Sequence, residues 1–531
     1  MDDEHRTLEE IEMIALGRQS IVLSQAEKHA VRKAHDFLCN AIEQRQRIYG
    51  VTTGYGPLAT TNVDPKQSSL LQQNLVYHLC SGVGEPLSHR HVRAMMVARM
   101  ASLVRGHSGA NPVLIDRLQG WLEVDLIPLV PSQGTVGASG DLTPLAHLAR
   151  ALSGEGKVSL RGGHWIDSAE AHRQLDWKPL VLQGKDAIAL VNGTSTTAGI
   201  AALNATAAQR AVKLSTLLVL LYAELLEGHR EAFHPAIGEL RPHPGQQQLH
   251  RWLWSLSESS GALVPWQRAL TSLPDMGSDI QQHQPLPQDA YTLRCAPQAL
   301  GAAWDVVEQH AQTVRIELQA VTDNPLLLVD DDTILHGGNF FGQQLAFASD
   351  HLNNALIQMA LYSERRIARI TDPQKNNGLP AFMQPLDTGL HSGFMGAQVS
   401  ATSLVAELRS HAMPASIQSI PTNADNQDIV PLGTIAARRA STSLEQLYQV
   451  LAIEALVLAQ GAELKSAHLL SHASKTLCAW VRTYAPPLKQ DRPLSEEITN
   501  VANMLADPDE VAPLMVLLSV SPSVPPRSPR M

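Results

Sequence analysis

The sequence predicts a mainly α protein, a bundle of long helices preceded by a loop-rich N-terminal domain, on three observations. Beyond Asn192, stretches rich in Ala and Leu and poor in Gly and Pro run well past the usual three helical turns. Strand-like alternation is confined to short pieces near Lys157–Leu160 and Leu326–Val329. Two glycine-rich segments, near residues 50 and 135, both fall in the first 192 residues.

Taken in order, Leu8, Ile11, Ile14 and Ala15 share one face of a first helix. A second is expected from Ser20 to Arg47, with Ile21, Leu23, Ala26, Val31, Ala34, Leu38 and Ile42 at helical spacing. Tyr49 to Asn62 breaks the pattern with Gly50, Gly54, Gly56 and Pro57, and reads as a loop able to move. Leu70–Leu79 and His91–Arg105 are helical again. The run Pro131-Ser-Gln-Gly-Thr-Val-Gly-Ala-Ser-Gly-Asp-Leu-Thr-Pro144 then leads into an apolar helix from Leu145, with Asp141 or Thr143 as cap and Pro144 in the first turn. The long helices are expected at Thr194–Glu227, Ala299–Val321, Phe341–Ile370, Phe394–His411 and Thr434–Ser466. Glu224, Glu227, Glu407, Glu454 and Glu463 sit within these apolar stretches, so much of the helix surface should be buried, some of it against other subunits. The division expected is residues 1–192, 193–518 and a Pro/Ser/Arg-rich tail, 519–531, that reads as disordered.

Composition narrows the function. With 44% hydrophobic residues in 531, the chain can bury a large core, and disorder is excluded for most of it. A formal charge of -10 and the absence of a Lys/Arg-rich run argue against nucleic-acid binding. The acidic start Met1-Asp-Asp-Glu-His5 is unlike a secretory signal, and runs such as Leu217–Ala223 are too short to span a bilayer, so a cytoplasmic protein is expected. Four scattered cysteines and dispersed histidines carry no metal-ligand spacing, and no metal is expected.

The chemistry is concentrated in Gly134–Ala149, GTVGASGDLTPLAHLA. A bare Ala-Ser-Gly is usually only a turn. If the Gly140 nitrogen attacks the Ala138 carbonyl carbon, however, a five-membered ring closes and water leaves. Only glycine bends so tightly without a Cβ clash. Loss of the Ser139 hydroxyl then leaves an exocyclic methylidene, an electrophile that no ordinary side chain supplies. The segment resembles the signature of the aromatic amino acid ammonia-lyase family, the histidine, phenylalanine and tyrosine ammonia-lyases. In that family the triplet forms 4-methylidene-imidazol-5-one autocatalytically, which assigns Ala138, Ser139 and Gly140 as its precursor.

Further segments resemble the family in the same order over nearly the whole chain except the last dozen residues. Tyr49-Gly-Val-Thr-Thr-Gly-Tyr-Gly-Pro57 is similar to its inner active-site loop, implying Tyr49 as general base, with Gly56 letting the substrate approach the backbone; Tyr55 is the second choice. Val191-Asn192-Gly-Thr194 implies Asn192 beside both prosthetic group and substrate. Gln288-Asp-Ala-Tyr291-Thr-Leu-Arg294 resembles the carboxylate-binding stretch, with Arg294 as a bidentate anchor and Gln288 and Tyr291 in the same pocket. Thr322-Asp-Asn324-Pro and His336-Gly-Gly-Asn-Phe340 resemble two more pocket segments, giving Asn324 and Phe340.

Two stretches separate the family's branches. His78-Leu79 resembles the tyrosine ammonia-lyases, where histidine family members resemble Ser-His and phenylalanine ones Phe-Leu. A histidine can meet a para-hydroxyl, and Leu79 walls the ring. In Thr422-Asn423-Ala-Asp-Asn426-Gln427-Asp428, enzymes for histidine resemble Gln-Glu at the pair held by Asn426 and Gln427; a neutral Gln427 suits an uncharged ring. Asp425 departs from the small neutral residue of the relatives. The resemblance therefore implies elimination of ammonia from L-tyrosine to trans-4-coumarate, slower on L-phenylalanine, by a homotetramer whose sites combine three chains. Attack on the methylidene by the substrate amine or by its ring stays open. The alternatives are a phenylalanine or histidine ammonia-lyase, a 2,3-aminomutase on the same scaffold, or an inactive helical assembly. A fumarase-type lyase would need a GSSxMPxKxN loop, which is absent.

Overall fold

A computed structural model describes residues 6–265, 288–387 and 389–519. Its helices follow their local chemistry. Leu8–Ala15 and Gln25–Glu43 each open with a capping box, Thr7 with Glu10 and Ser24 with Glu27, which serves two orphan N–H groups at each start. Gln25–Glu43 buries Val31, Ala34, Leu38 and Ala41 on one stripe. The long helices lie at Ser195–Leu225, Ala296–Gln319, Gln343–Thr371, Met395–Ser410 and Gly433–Leu464, within a few residues of the expected bounds.

The chain divides into two compact units. The first comprises residues 1–206, 309–351 and 414–441. Its core gathers Ser68–Leu79, His89–Leu103, Pro112–Val124, Leu142–Leu152 and Asp186–Val191. His89–Leu103 is buried from His91 to Leu103, so it lies inside the unit with no solvent face. The same unit holds three small antiparallel sheets. Val83–Pro86 pairs with Pro131–Gln133, Lys157–Leu160 lies between Leu126–Pro128 and Trp165–Asp167, and Leu326–Leu328 pairs with Thr333–Leu335. Only Lys157–Leu160 and Leu326–Leu328 coincide with the alternation expected from the sequence. His107 donates from Nδ1 to the Leu327 carbonyl, 2.8 Å away, and so ties down the last of these hairpins.

The second unit comprises residues 207–308, 352–413 and 442–531, of which 266–287, 388 and 520–531 lie outside the described residues. Most of the expected disordered tail therefore lies outside them too. Within this unit Glu454 takes a bidentate bond from Arg366 and a bond from Ser363, all fully buried. Glu224 is likewise buried and accepts from the Ser471 backbone at 2.7 Å. Glu227, Glu407 and Glu463 are exposed, so of the five helix glutamates two are core residues. Gly433–Leu464 is long and apolar enough to cross a membrane, yet 83% of its most apolar stretch is buried within the fold, where these side chains serve as core.

Candidate active site

The glycine-rich run after the strand Pro131–Gln133 is held by backbone. Gly140 adopts φ +74, and a Cβ there would fall 2.3 Å from the Gly193 carbonyl oxygen, so the position admits only glycine. Ala138 and Gly140 face each other as a bridge across Ser139, and Gly140 also bridges Gly193. The Asp141 N–H donates to the Gly193 carbonyl at 2.7 Å. The turn is thus already closed around Ser139, and these residues fit a ring condensed from Ala138, Ser139 and Gly140.

Asp141 occupies the cap position of Leu142–Leu152, but its carboxylate makes no bond to that helix. It accepts instead from Thr197 N (2.7 Å), Thr197 Oγ1 (2.9 Å) and Thr434 Oγ1 (2.6 Å). It therefore serves the first turn of Ser195–Leu225, where an anion is favoured. Burial pushes this carboxyl's pKa up, and the bonds from Thr197 and Thr434 pull it back. Thr143 is not a cap either; its hydroxyl donates to Gly134 O at 3.1 Å from inside the helix.

The loop at residues 49–58 brings its two tyrosines edge to face, ring centres 6.4 Å apart. They differ in surroundings. The Gly56 N–H donates to Tyr49 Oη at 2.9 Å, and the Tyr49 N–H donates to His336 Nε2 at 3.3 Å. Tyr55 Oη accepts from Gln72 at 3.0 Å, and burial, with Tyr49 adding to it, pushes the Tyr55 phenol well above its ordinary value. Gly56 has φ +51 and packs where a Cβ would meet Asn423 Nδ2 at 2.8 Å.

These segments enclose a cleft of about 1290 Å³, ample beside the roughly 300–1,000 Å³ that small ligands occupy. Tyr49, Gly56, His78, Leu79, Ala138, Ser139, Gly140, Asn192, Asn324, Phe340, Asn423, Asn426 and Gln427 all line it. His78 and Leu79 end the helix Ser68–Leu79, and burial lowers the His78 pKa, which keeps its ring neutral near neutral pH. Asn192 donates to the Asn324 carbonyl at 2.9 Å, and Asn324 Oδ1 accepts from Gly337 N at 2.7 Å. Gln427 Nε2 donates to Ser139 Oγ at 3.1 Å. The loop that carries Gln427 closes through Thr422 and Gln427, and sets Asn423, Ala424 and Asp425 consecutively at φ +56, +52 and +58.

Gln288, Tyr291 and Arg294 belong to the second unit and are not among the residues that line this cleft. Arg294 stacks over the Tyr291 ring at 4.5 Å, Tyr291 is 68% exposed, and Arg294 Nε has no partner among the described residues.

Several residues around the cleft escaped the sequence reading. His336 supports the Tyr49 backbone. Lys185 and Asp323 form a fully buried ion pair, and Asp323 also borders Asn192. Buried Arg99 donates to Thr322 O at 3.0 Å and Asn192 O at 3.3 Å. His336 and Asp323 lie inside segments already singled out; Arg99 and Lys185 sit in ordinary helical text and carry no local signal.

Residues 6–483 match the family model described as aromatic amino acid lyase. A tyrosine ammonia-lyase from Cereibacter sphaeroides is 46% identical over 95% of this chain and 96% of its own. A histidine ammonia-lyase from Gloeobacter violaceus is 38% identical over 94% of each. The MIO-dependent tyrosine 2,3-aminomutase from Streptomyces globisporus is 37% identical over 95% of this chain and 94% of its own. Among solved structures, tyrosine aminomutase from Streptomyces globisporus superposes with a TM-score of 0.93 at 35% identity, covering 98% of both chains. Histidine ammonia-lyase from Trypanosoma cruzi gives 0.86 at 29% identity, covering 99% of this chain and 98% of that one. The chain belongs to the aromatic amino acid lyase family, and it is a carbon–nitrogen lyase with that family's mainly α fold.

Proposed function

We propose that the cleft binds L-tyrosine and eliminates its amine, giving trans-4-coumarate and ammonia, with slower turnover of L-phenylalanine. The observation that carries this reading is His78, a neutral imidazole on the wall of the same cleft that holds Tyr49 and the Ala138-Ser139-Gly140 turn. Its 46% identity to a tyrosine ammonia-lyase supports the same substrate.

The reading includes 4-methylidene-imidazol-5-one formed from Ala138, Ser139 and Gly140, held by Gly193 and faced by Gln427. When formed, that group supplies the electrophile that makes the substrate amine a leaving group. The rest falls to side chains. Tyr49 removes the β-proton; the Gly56 N–H leaves the phenol's own hydrogen free and keeps a donor on Oη once it is ionised. His78 meets the para-hydroxyl and Leu79 packs the ring. Asn192 is fixed by Asn324 at the cleft wall.

The substrate carboxylate needs a cation. We assign it to Arg294 of a neighbouring chain, with Gln288 and Tyr291 beside it, in a homotetramer. Half-buried Arg294, stacked on exposed Tyr291 and with its Nε unpartnered among the described residues, supports this. The four cysteines are free thiols, which suits a cytoplasmic enzyme. No metal takes part in the proposed reaction.

Likeness to tyrosine aminomutases favours a second reading, in which ammonia returns to the β-carbon. Products from equal amounts of tyrosine, phenylalanine and histidine decide. Coumarate as the main product supports the first reading; β-tyrosine supports the second, and urocanate overturns both. Ser139→Ala should fold, lack the near-UV absorbance of the prosthetic group, and make no product.

A further inference from the structure

We propose that Gln72 is a positioning residue for the reaction: one buried amide that sets the general base, the para-hydroxyl reader and Asn192 relative to one another. The inference rests on the reading of the reaction given above, and adds to it a group that touches no substrate.

Gln72 is fully buried, and its amide makes all four bonds that an amide can be expected to make. Nε2 donates to Gly50 O and to Tyr55 Oη, both at 3.0 Å. Oε1 accepts from Ala187 N at 3.0 Å and Ile188 N at 3.2 Å. Two separate segments, the loop at residues 49–58 and the helix Asp186–Val191, converge on this one side chain from a third. Gly50 is the residue after Tyr49, so the bond to its carbonyl holds the chain one peptide beyond the proposed base. Ala187 and Ile188 lie in the first turn of Asp186–Val191, the short helix that ends at Asn192. Its orphan N–H groups need an acceptor. Lys185, at the cap position, gives no side-chain bond there, because its ammonium has no lone pair to accept with and pairs instead with Asp323. Gln72 therefore caps that helix from another element. Gln72 itself sits on Ser68–Leu79, the helix whose last turn carries His78 and Leu79.

A residue needed only to hold the core together could be spared by any substitution that keeps the chain folded. The geometry assigns more. Glu in place of Gln72 keeps oxygen acceptors for Ala187 and Ile188 but cannot supply both N–H donors to Gly50 and Tyr55. Met keeps the length of the side chain and loses all four bonds.

The test uses Gln72→Glu and Gln72→Met in the full-length enzyme, with rates expressed per prosthetic group counted by borohydride titration. In both variants kcat on tyrosine is expected to fall about a hundredfold, the scale set by roughly 1 Å of misplacement. KM should change much less, and the preference for tyrosine over phenylalanine should shrink. Gln72→Glu sets a buried carboxylate against the Gly50 carbonyl and should lower the melting temperature, so both variants are assayed below the temperature at which circular dichroism shows loss of structure, which separates positioning from folding. If Gln72→Met does not fold, Gln72→Glu alone decides. A Gln72→Glu enzyme with wild-type kcat and unchanged substrate preference overturns the inference. A wild type inactive on all three amino acids overturns the reading of the reaction and this inference with it; an active wild type with indifferent variants overturns this inference alone.

Discussion

The backbone N–H of Gly56 points at the phenol oxygen of Tyr49 across 2.9 Å, while the neighbouring Tyr55 turns its own hydroxyl to Gln72. Two tyrosines six residues apart thus have opposite fates. Both line the cleft, but the Tyr49 oxygen takes a backbone donor able to serve an ionised form as well. Burial holds Tyr55 protonated far into the alkaline range. Tyr49→Phe is therefore expected to lower kcat by about 10²–10⁴-fold, the range for loss of a general base, with substrate binding retained. Tyr55→Phe should cost less than about tenfold. Single-turnover assays of both variants make the comparison, and equal losses would remove the distinction.

His78 offers a neutral ring on the cleft wall. A hydrogen bond to a substrate hydroxyl is worth about 1–3 kcal/mol when its loss leaves a buried group unpaired. His78→Phe should shift the ratio of kcat/KM for tyrosine to that for phenylalanine by about 5–150-fold toward phenylalanine. Competition between the two amino acids reads this ratio directly. An unchanged ratio makes His78 merely a wall.

Arg294→Ala should raise KM by about ten- to a hundredfold, in keeping with about 1.5–3 kcal/mol for a charged hydrogen bond. A second measurement tests where that arginine acts. Co-expressed Tyr49→Phe and Arg294→Ala chains should regain a fraction of wild-type activity, because a mixed oligomer can combine an intact Tyr49 with an intact Arg294 of another chain. No recovery in purified mixed oligomers would place both residues in the service of one chain's own site.

His310 is fully buried with neither ring nitrogen partnered among the described residues, and burial lowers its pKa from 6.5 to about 4. The unfolded chain then binds more protons than the fold between those values, so stability is lost as pH falls from 6.5 toward 4. Asp186, raised to about 6 by burial, acts in the opposite sense between 3.8 and 6, so the comparison must be between variants. His310→Leu should remove about 2 kcal/mol of the acid loss at pH 5 relative to pH 8. Denaturant midpoints at the two pH values measure it; parallel curves for wild type and variant would show that His310 stays neutral in both states.

Much of the site was legible because its elements are local. The run ending in Ala138-Ser139-Gly140-Asp141 needs consecutive residues to condense, and the glycine at 140 is demanded by a turn within the same few residues. The long helices announce themselves by composition and period. What the text hid are bonds that pair ordinary residues across great sequence distance. Asp141 looks like a cap for the helix beside it, and its carboxylate in fact serves Thr197 and Thr434. Gln72 is one polar letter in a helix that names nothing about Gly50 or Ile188.

Alone, the amino-acid order determined the enzyme class, the residues proposed for its chemistry and the helices that carry them, because reactivity and periodicity belong to neighbours in the chain. Tertiary structure decided which tyrosine hydroxyl is buried against Gln72 and which carboxylate turns away from its own helix to Thr197 and Thr434. Those outcomes depend on burial and on partners 17 to 293 residues away, and neither is a property of any local stretch of sequence.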